Sequence, residues 1–234
     1  MKEIGLMFKA PLVYAILSGQ KTQTRRPVAM PRKRDSFVML DHGKGFWPYQ
    51  SDDGESELCS DGCEHRYRSP FGMPGDRLYV RETWQHANFP LGPYSEGTPV
   101  FYRADYLDDP HGPDGEKSPE GKYRNWSPAI HMPKAAARIW LEVTGVRVER
   151  LQQITDADAL AEGVDRTNTS IPGYARERFK QLWDSITGRP ELPENKNSKR
   201  YARVKHWLDT HPDTTGWAAN PWVWVIDFKR IEKP

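Results

Sequence analysis

The chain has 234 residues, 37% hydrophobic and 28% charged, with 34 Lys and Arg against 32 Asp and Glu for a formal net charge of +2. Mean hydropathy is −0.82, yet 9 Trp, 10 Tyr and 8 Phe exclude a disordered chain, because disordered segments are poor in aromatics and each ring can bury roughly 150–250 Å². No run approaches the ~18 apolar residues of a membrane span, Lys9 and Pro11 break up the start so that it does not read as a secretory leader, and 2 Cys make no disulfide framework, which suits a reducing cytoplasm.

In chain order, residues 4–8 form a short apolar run that reads as a buried strand. Residues 11–18 read as a helix with Pro11 in its first turn and Gly19 past its end, the usual Pro-start and Gly-stop asymmetry. Residues 22–26 have strand composition. Residues 32–70 read as an insertion, carrying Asp52, Asp53, Glu55, Glu57, Asp61 and Glu64 among Gly, Pro and Ser with no helical or strand period. The turn Pro74-Gly75-Asp76 then opens a strand over 77–84, and 99–103 is another. Residues 105–125 are a second acidic insertion.

Residues 138–148 alternate Ile139, Leu141 and Val143 as a half-buried strand does. Thr155 and Asp158 form a capping box opening a helix whose apolar stripe is Ala157, Leu160, Ala161 and Val164. Residues 174–187 carry Phe179, Leu182, Trp183 and Ile186 at helical spacing, with Gly188 and Pro190 as stops. A third insertion covers 189–216, and residues 222–231 form a closing strand with Trp222, Trp224, Ile226 and Phe228. Strands outnumber helices and do not alternate with them. The expectation is therefore an α+β fold, mainly β: one domain over 1–234, a small mixed barrel with helices packed on it.

Chemistry concentrates in Ser18-Gly19-Gln20-Lys21-Thr22-Gln23-Thr24-Arg25-Arg26-Pro27. A lysine whose amine is neutralised by burial or cationic neighbours can act as a general base, and a threonine hydroxyl beside it is an activatable nucleophile. The alternative is a solvated edge strand protected by its charges. Strict alternation sends Lys21 and Thr24 to opposite faces, so they converge only if Lys21 still belongs to the turn. Glu162 is a second oddity. It falls about 140° round its helix from Ala157 at ~100° per residue, and it precedes Gly163 in the last turn, where the helix dipole disfavours a carboxylate by about 0.3–1 kcal/mol.

Arg81 and Glu82 stand at a strand end, where they either line a pocket or form an ordinary paired edge. Cys59, Cys63 and His65 form a C-x3-C-x-H cluster that lacks a fourth zinc ligand, with His131 far away in sequence; no metal and no cofactor are expected. Lys196, Lys199, Arg200, Arg203 and Lys205 form an acid-free basic stretch interleaved with Tyr201. As a helix it would present a face for phosphates or simply a solvated one.

Gly19-Gln20-Lys21-Thr22-Gln23-Thr24-Arg25-Arg26 resembles the glycine–lysine–threonine–arginine signature of ASCH domains, a branch of the PUA-like barrels. Gly75-Asp76-Arg77-Leu78-Tyr79-Val80 resembles the family's GD-x-L-x-V strand, Ala161-Glu162-Gly163-Val164 its Glu-bearing helix, and Trp222 to Phe228 its closing strand, in the right order. With Arg81-Glu82-Thr83-Trp84, Ile130-His131-Met132-Pro133 and Asn220-Pro221-Trp222-Val223-Trp224, the chain is similar to the long ASCH proteins of phages and prophages. The resemblance implies a small β-barrel with a helix closing one mouth and a cleft between. It also implies a candidate activity, since some small bacterial ASCH proteins are amidohydrolases that deacylate N4-acetylcytidine. Their catalytic Lys, Thr and Glu fall on Lys21, Thr24 and Glu162. Other family members are thought to bind or cleave RNA. On that reading the partner is a nucleoside or a single-stranded nucleic acid, contacted through Arg25, Arg26, Arg81, Glu82, Lys199, Arg200 and Arg203.

Overall fold

The computed structural model describes residues 1–28, 36–41, 45–51, 65–66, 68–89, 91–108, 126–168, 170–187, 195–196, 198–210 and 216–234. In chain order its elements are β1 (Glu3–Met7), α1 (Ala10–Leu17), β2 (Gln23–Pro27), β3 (Ser36–Asp41), β4 (Phe46–Ser51), β5 (His65–Arg66), β6 (Arg77–Arg81), β7 (Trp84–His86), β8 (Val100–Tyr102), β9 (Trp140–Arg150), α2 (Asp156–Ala161), α3 (Tyr174–Thr187), α4 (Lys199–Thr210) and β10 (Trp222–Ile231). The class is α+β and mainly sheet. Strands run in the orders β1-β6-β9-β10-β2, β3-β4-β5 and β7-β8, and none of these orders closes on itself among the described residues. No described helix is long and apolar enough to cross a membrane. The chain forms two compact units, Met1–Thr22 with Arg68–Val146 and Ile226–Pro234, and Gln23–Tyr67 with Arg147–Val225.

In the first unit β1 runs parallel to β6, from Glu3 opposite Arg77 to Met7 opposite Arg81, and β6 pairs antiparallel with the start of β9. The β6 alternation works as its sequence suggests: Leu78 and Val80 are fully buried, as are Leu141 and Val143 of β9. Gly5 faces Tyr79 in register, and a Cβ there would stand 2.8 Å from the Tyr79 ring. The Asp76 carboxylate accepts the backbone N–H of Lys2 at 2.7 Å and of Met73 at 3.1 Å. The Lys2 bond in particular holds Asp76 below the ordinary carboxylate range.

The single strand expected over 77–84 is two. The break at Glu82 and Thr83 occurs where the backbone changes partners. Arg81 still gives its carbonyl to the Phe8 N–H, the Glu82 N–H turns to the Met132 sulfur at 3.3 Å, and Trp84 pairs with Tyr102 in β8 and bridges to Ser127. Trp84, Met132, Ala136 and Ala137 make a small core there.

In the second unit β3 and β4 form a hairpin, Ser36 opposite Ser51 to Asp41 opposite Phe46. Its turn ends at Gly45, φ +90°, whose N–H is accepted by Asp41 at 3.1 Å. This hairpin lies inside the stretch expected to be an irregular insertion, and its Trp47 and Phe46 rings meet Trp224 and Trp222 of β10, each at 5.0 Å between centroids. Such pairs add about 0.5–1.5 kcal/mol beyond area burial. Helices α2 and α3 close the unit's core of Leu151, Ile154, Ala159, Val164, Ala175, Phe179, Trp183, Val223 and Val225. Asn220 takes a left-handed conformation, φ 44° and ψ 52°. There its side chain accepts the Gln152 N–H at 2.9 Å and its carbonyl accepts Arg150 at 3.1 Å. That tie fixes the end of β9 to the start of β10.

Candidate functional site

The signature segment straddles the turn between α1 and β2. The C-terminus of α1 is satisfied by Ser18 N–H to the Tyr14 carbonyl and Gly19 N–H to that of Ile16. Gly19 sits at φ +74°, a conformation glycine reaches without cost. The Lys21 N–H then returns to the Ala15 carbonyl at 2.8 Å. Lys21 therefore belongs to the turn and not to the strand. The residue is only 2% exposed and its amine lies 5.7 Å from the centre of the Phe8 ring. Phe8 in turn meets Phe228 edge-on.

In the second unit Gln23, Thr24 and Arg25 open β2, and all three are buried. Alternation puts Gln23 and Arg25 on one face and Thr24 with Arg26 on the other. On the first face the Arg25 guanidinium is fully enclosed. Its Nη1 donates to Gln23 Oε1 at 2.5 Å and Glu162 Oε1 at 3.3 Å, while Nη2 and Nε donate to Glu149 Oε1 at 2.5 and 3.2 Å. Asp158 Oδ2 stands 3.6 Å from Nη2, and the Phe179 ring lies against the guanidinium at 5.8 Å.

The short helix α2 places two of these carboxylates. Thr155 and Asp158 form the expected capping box, Thr155 Oγ1 accepting the Asp158 N–H at 3.1 Å. Glu162 is the C-cap, with Gly163 following at φ +89°. Asp158 and Glu162 are four residues apart, hence on one side of the helix, and that side meets β2. Burial alone would raise the Asp158 pKa, but hydrogen bonds from Thr155 and the charge of Arg25 hold it below the ordinary range. Glu162 is 4% exposed. It also acts on Arg26, whose guanidinium is pushed below its usual range by burial and pulled back by the Glu162 charge.

The remaining sequence-derived candidates are elsewhere. Arg81 donates to the carbonyls of Met132, at 3.1 Å, and Ile130. Glu82 is fully buried and accepts two bonds from Arg138, at 2.9 and 3.1 Å, and Arg138 also binds Asp105 at 2.7 and 2.9 Å. Burial raises the Glu82 pKa and Arg138 opposes the rise. Burial likewise pushes the hydroxyl of Tyr102, whose ring lies under the Arg138 guanidinium, up to about 12. Arg81 and Glu82 thus tie segments of the first unit to each other. Arg25, enclosed as described, gives its hydrogen bonds to Gln23, Glu149 and Glu162. Lys199, Arg200 and Arg203 are exposed on α4, with Tyr201 and Val204 half-buried behind them. Cys59 and Cys63 lie outside the described residues, as does most of the acidic sequence, and the described residues contain no group of three or more metal-ligating side chains.

Glu149, Arg147 and Gln23 were not among the sequence candidates. Glu149 lies near the end of β9 in Arg147-Val148-Glu149-Arg150, where alternate charges read as solvent-facing, but its carboxylate is bonded to Arg25 and Arg147. The spacing of Asp158 and Glu162 was the one available signal. No family model, characterised protein or solved structure matches the chain.

Proposed function

We propose that this chain is an ASCH-type protein of PUA-like fold that hydrolyses the amide of an acylated cytosine nucleoside through Lys21, Thr24 and Glu162. The observation that carries the reading is burial. In so polar a chain, the Lys, Thr and Glu that match the family's catalytic residues are 2%, 4% and 4% exposed, which is expensive for such groups and unlike the solvated edge strand that was the alternative. In the reaction, Lys21 takes the proton from the Thr24 hydroxyl as the oxygen attacks the amide carbonyl. The tetrahedral oxyanion is stabilised by the Arg26 cation and turn N–H groups. Collapse breaks the carbonyl–N4 bond, with Glu162 relaying the proton to the leaving exocyclic nitrogen, and water then hydrolyses the acyl-threonine.

Incubation with N4-acetylcytidine tests this. Release of cytidine and acetate by the wild type, lost in Lys21→Met, Thr24→Val and Glu162→Gln proteins that stay folded, is the expected result. No turnover by the wild type ends the reading.

The exposed bases of α4 favour a second reading, in which the chain is a non-catalytic module for RNA or single-stranded DNA. That reading requires salt-dependent oligonucleotide binding without turnover, and a ribonuclease variant of it requires cleavage that disappears in Lys21→Met.

A further inference from the structure

The Arg25 side chain has no exposed surface, and its donors meet protein acceptors. Those acceptors are arranged in two groups. On one side of the planar fork, Glu149 takes Nε and Nη2 through a single oxygen, with Asp158 beside it; on the other, Nη1 is directed at Gln23 and Glu162. The first group is anchored in turn. Arg147 bonds the other Glu149 oxygen at 3.2 Å and the other Asp158 oxygen at 3.2 Å, and Asp158 is locked into the α2 capping box.

Glu162 meets that fork at the end of α2. It closes α2 as its C-cap, in helical geometry, φ −71° and ψ −10°, at the negative end of the helix, where a carboxylate is disfavoured. A cation at that end offsets this and sets the direction of the carboxylate. A guanidinium does this from a rigid plane, whereas an ammonium cannot face two acceptor groups in fixed directions.

We propose that Arg25 is a positioning residue. Held by Glu149, Asp158 and Gln23, it orients the Glu162 carboxylate for the proton relay and contacts no substrate. This rests on the hydrolase reading for its consequence in catalysis, but not for the orientation itself. Misplacing a reacting group by about 1 Å from a distance costs on the order of 10²-fold in rate.

The test uses the full chain in two arms. In kinetics with N4-acetylcytidine, Arg25→Gln lowers kcat about 10²-fold with KM within about threefold, Arg25→Lys recovers part of the loss, and Glu149→Gln, which loosens only the holder, falls between. In carbon-13 NMR at fixed pH, the Glu162 side-chain carboxyl resonance, assigned by its loss in Glu162→Gln, shifts in Arg25→Gln and moves back toward wild type in Arg25→Lys. Should Arg25→Gln fail to fold, Arg25→Lys and Glu149→Gln carry both arms. Wild-type kcat in the Arg25 and Glu149 variants, or a rise in KM alone, overturns the proposal. If the wild type turns nothing over, the hydrolase reading fails by itself, and the NMR arm still decides: an unmoved Glu162 resonance overturns the orientation role, and a moved one supports it.

Discussion

Replacing Arg138 by alanine strands a carboxylate inside the first unit. Glu82 has no exposed surface, and among the described residues the two side-chain bonds it accepts, at 2.9 and 3.1 Å, both come from Arg138. Breaking a buried pair from one side costs about 3–5 kcal/mol because the remaining charge is uncompensated. Arg138 is 25% exposed, so water can partly take its place and the loss falls near the lower end, about 3 kcal/mol. At about 2–4 °C per kcal/mol for a chain of this size, the melting temperature drops about 6–12 °C.

The complementary change Glu82→Gln keeps an acceptor for Arg138 and removes the buried charge, so it costs about 1 kcal/mol. The pH dependence separates the two mechanisms. Burial raises the Glu82 pKa, and in Arg138→Ala nothing opposes that rise. A carboxylate whose folded pKa lies above its unfolded value carries no penalty below the unfolded pKa, near 4.3, and a growing one as pH rises through the folded pKa. The deficit of Arg138→Ala against wild type is therefore full at pH 7 and shrinks toward pH 4–5. Differential scanning fluorimetry across pH, with circular dichroism as the second probe, measures it. A melting temperature within about 2 °C of wild type at pH 7, or a deficit that does not shrink in acid, would refute the reasoning.

Gly5→Ala puts a Cβ 2.8 Å from the Tyr79 ring and costs about 1–3 kcal/mol by overpacking, read by chemical denaturation; Tyr79→Leu in the same background should restore part of it. Thr155→Ala removes the α2 cap and costs about 1 kcal/mol, and because Glu162 closes that helix, turnover falls with it. Asp76 and Asp158 have folded pKa values below their unfolded ones, so the stability they contribute is present above pH ~4 and is lost as pH falls through the folded values; Asp158→Asn flattens the acid limb of an unfolding titration. If α4 meets a single-stranded nucleic acid, changing Lys199, Arg200 and Arg203 to Gln lowers the slope of log affinity against log salt by about 2, at about 0.7 per phosphate contact, and an unchanged slope removes α4 from the interface.

Much of this architecture was written locally. The Pro11 start and Gly19 stop of α1, the Thr155–Asp158 box of α2, the Phe179 and Trp183 positions of the α3 stripe and the alternation of Ile139, Leu141 and Val143 are short-range devices, each set by the conformations and hydrogen bonds of neighbouring residues, and each has its counterpart in the structure, whereas Ile186, placed on the same stripe, is exposed at the end of α3. The aromatic surplus also pointed correctly to core building, with Trp84, Trp140, Trp183 and Trp224 all buried. What remained hidden depends on partners distant in sequence. The hairpin of β3 and β4 was obscured by acidic, Gly-rich surroundings, and its packing of Trp47 on Trp224 joins residues that no local window contains together. The strand over 77–84 split because Glu82 found Arg138 and Met132 some fifty positions away. Arg25 shows the division most plainly. Its charge is evident from sequence, but whether that charge faces a phosphate or three carboxylates is an electrostatic question about what the fold packs against it. Local propensity determined which residues form strands and helices here; tertiary packing, by deciding which charges are taken out of water together, determined which of them are left to meet a ligand.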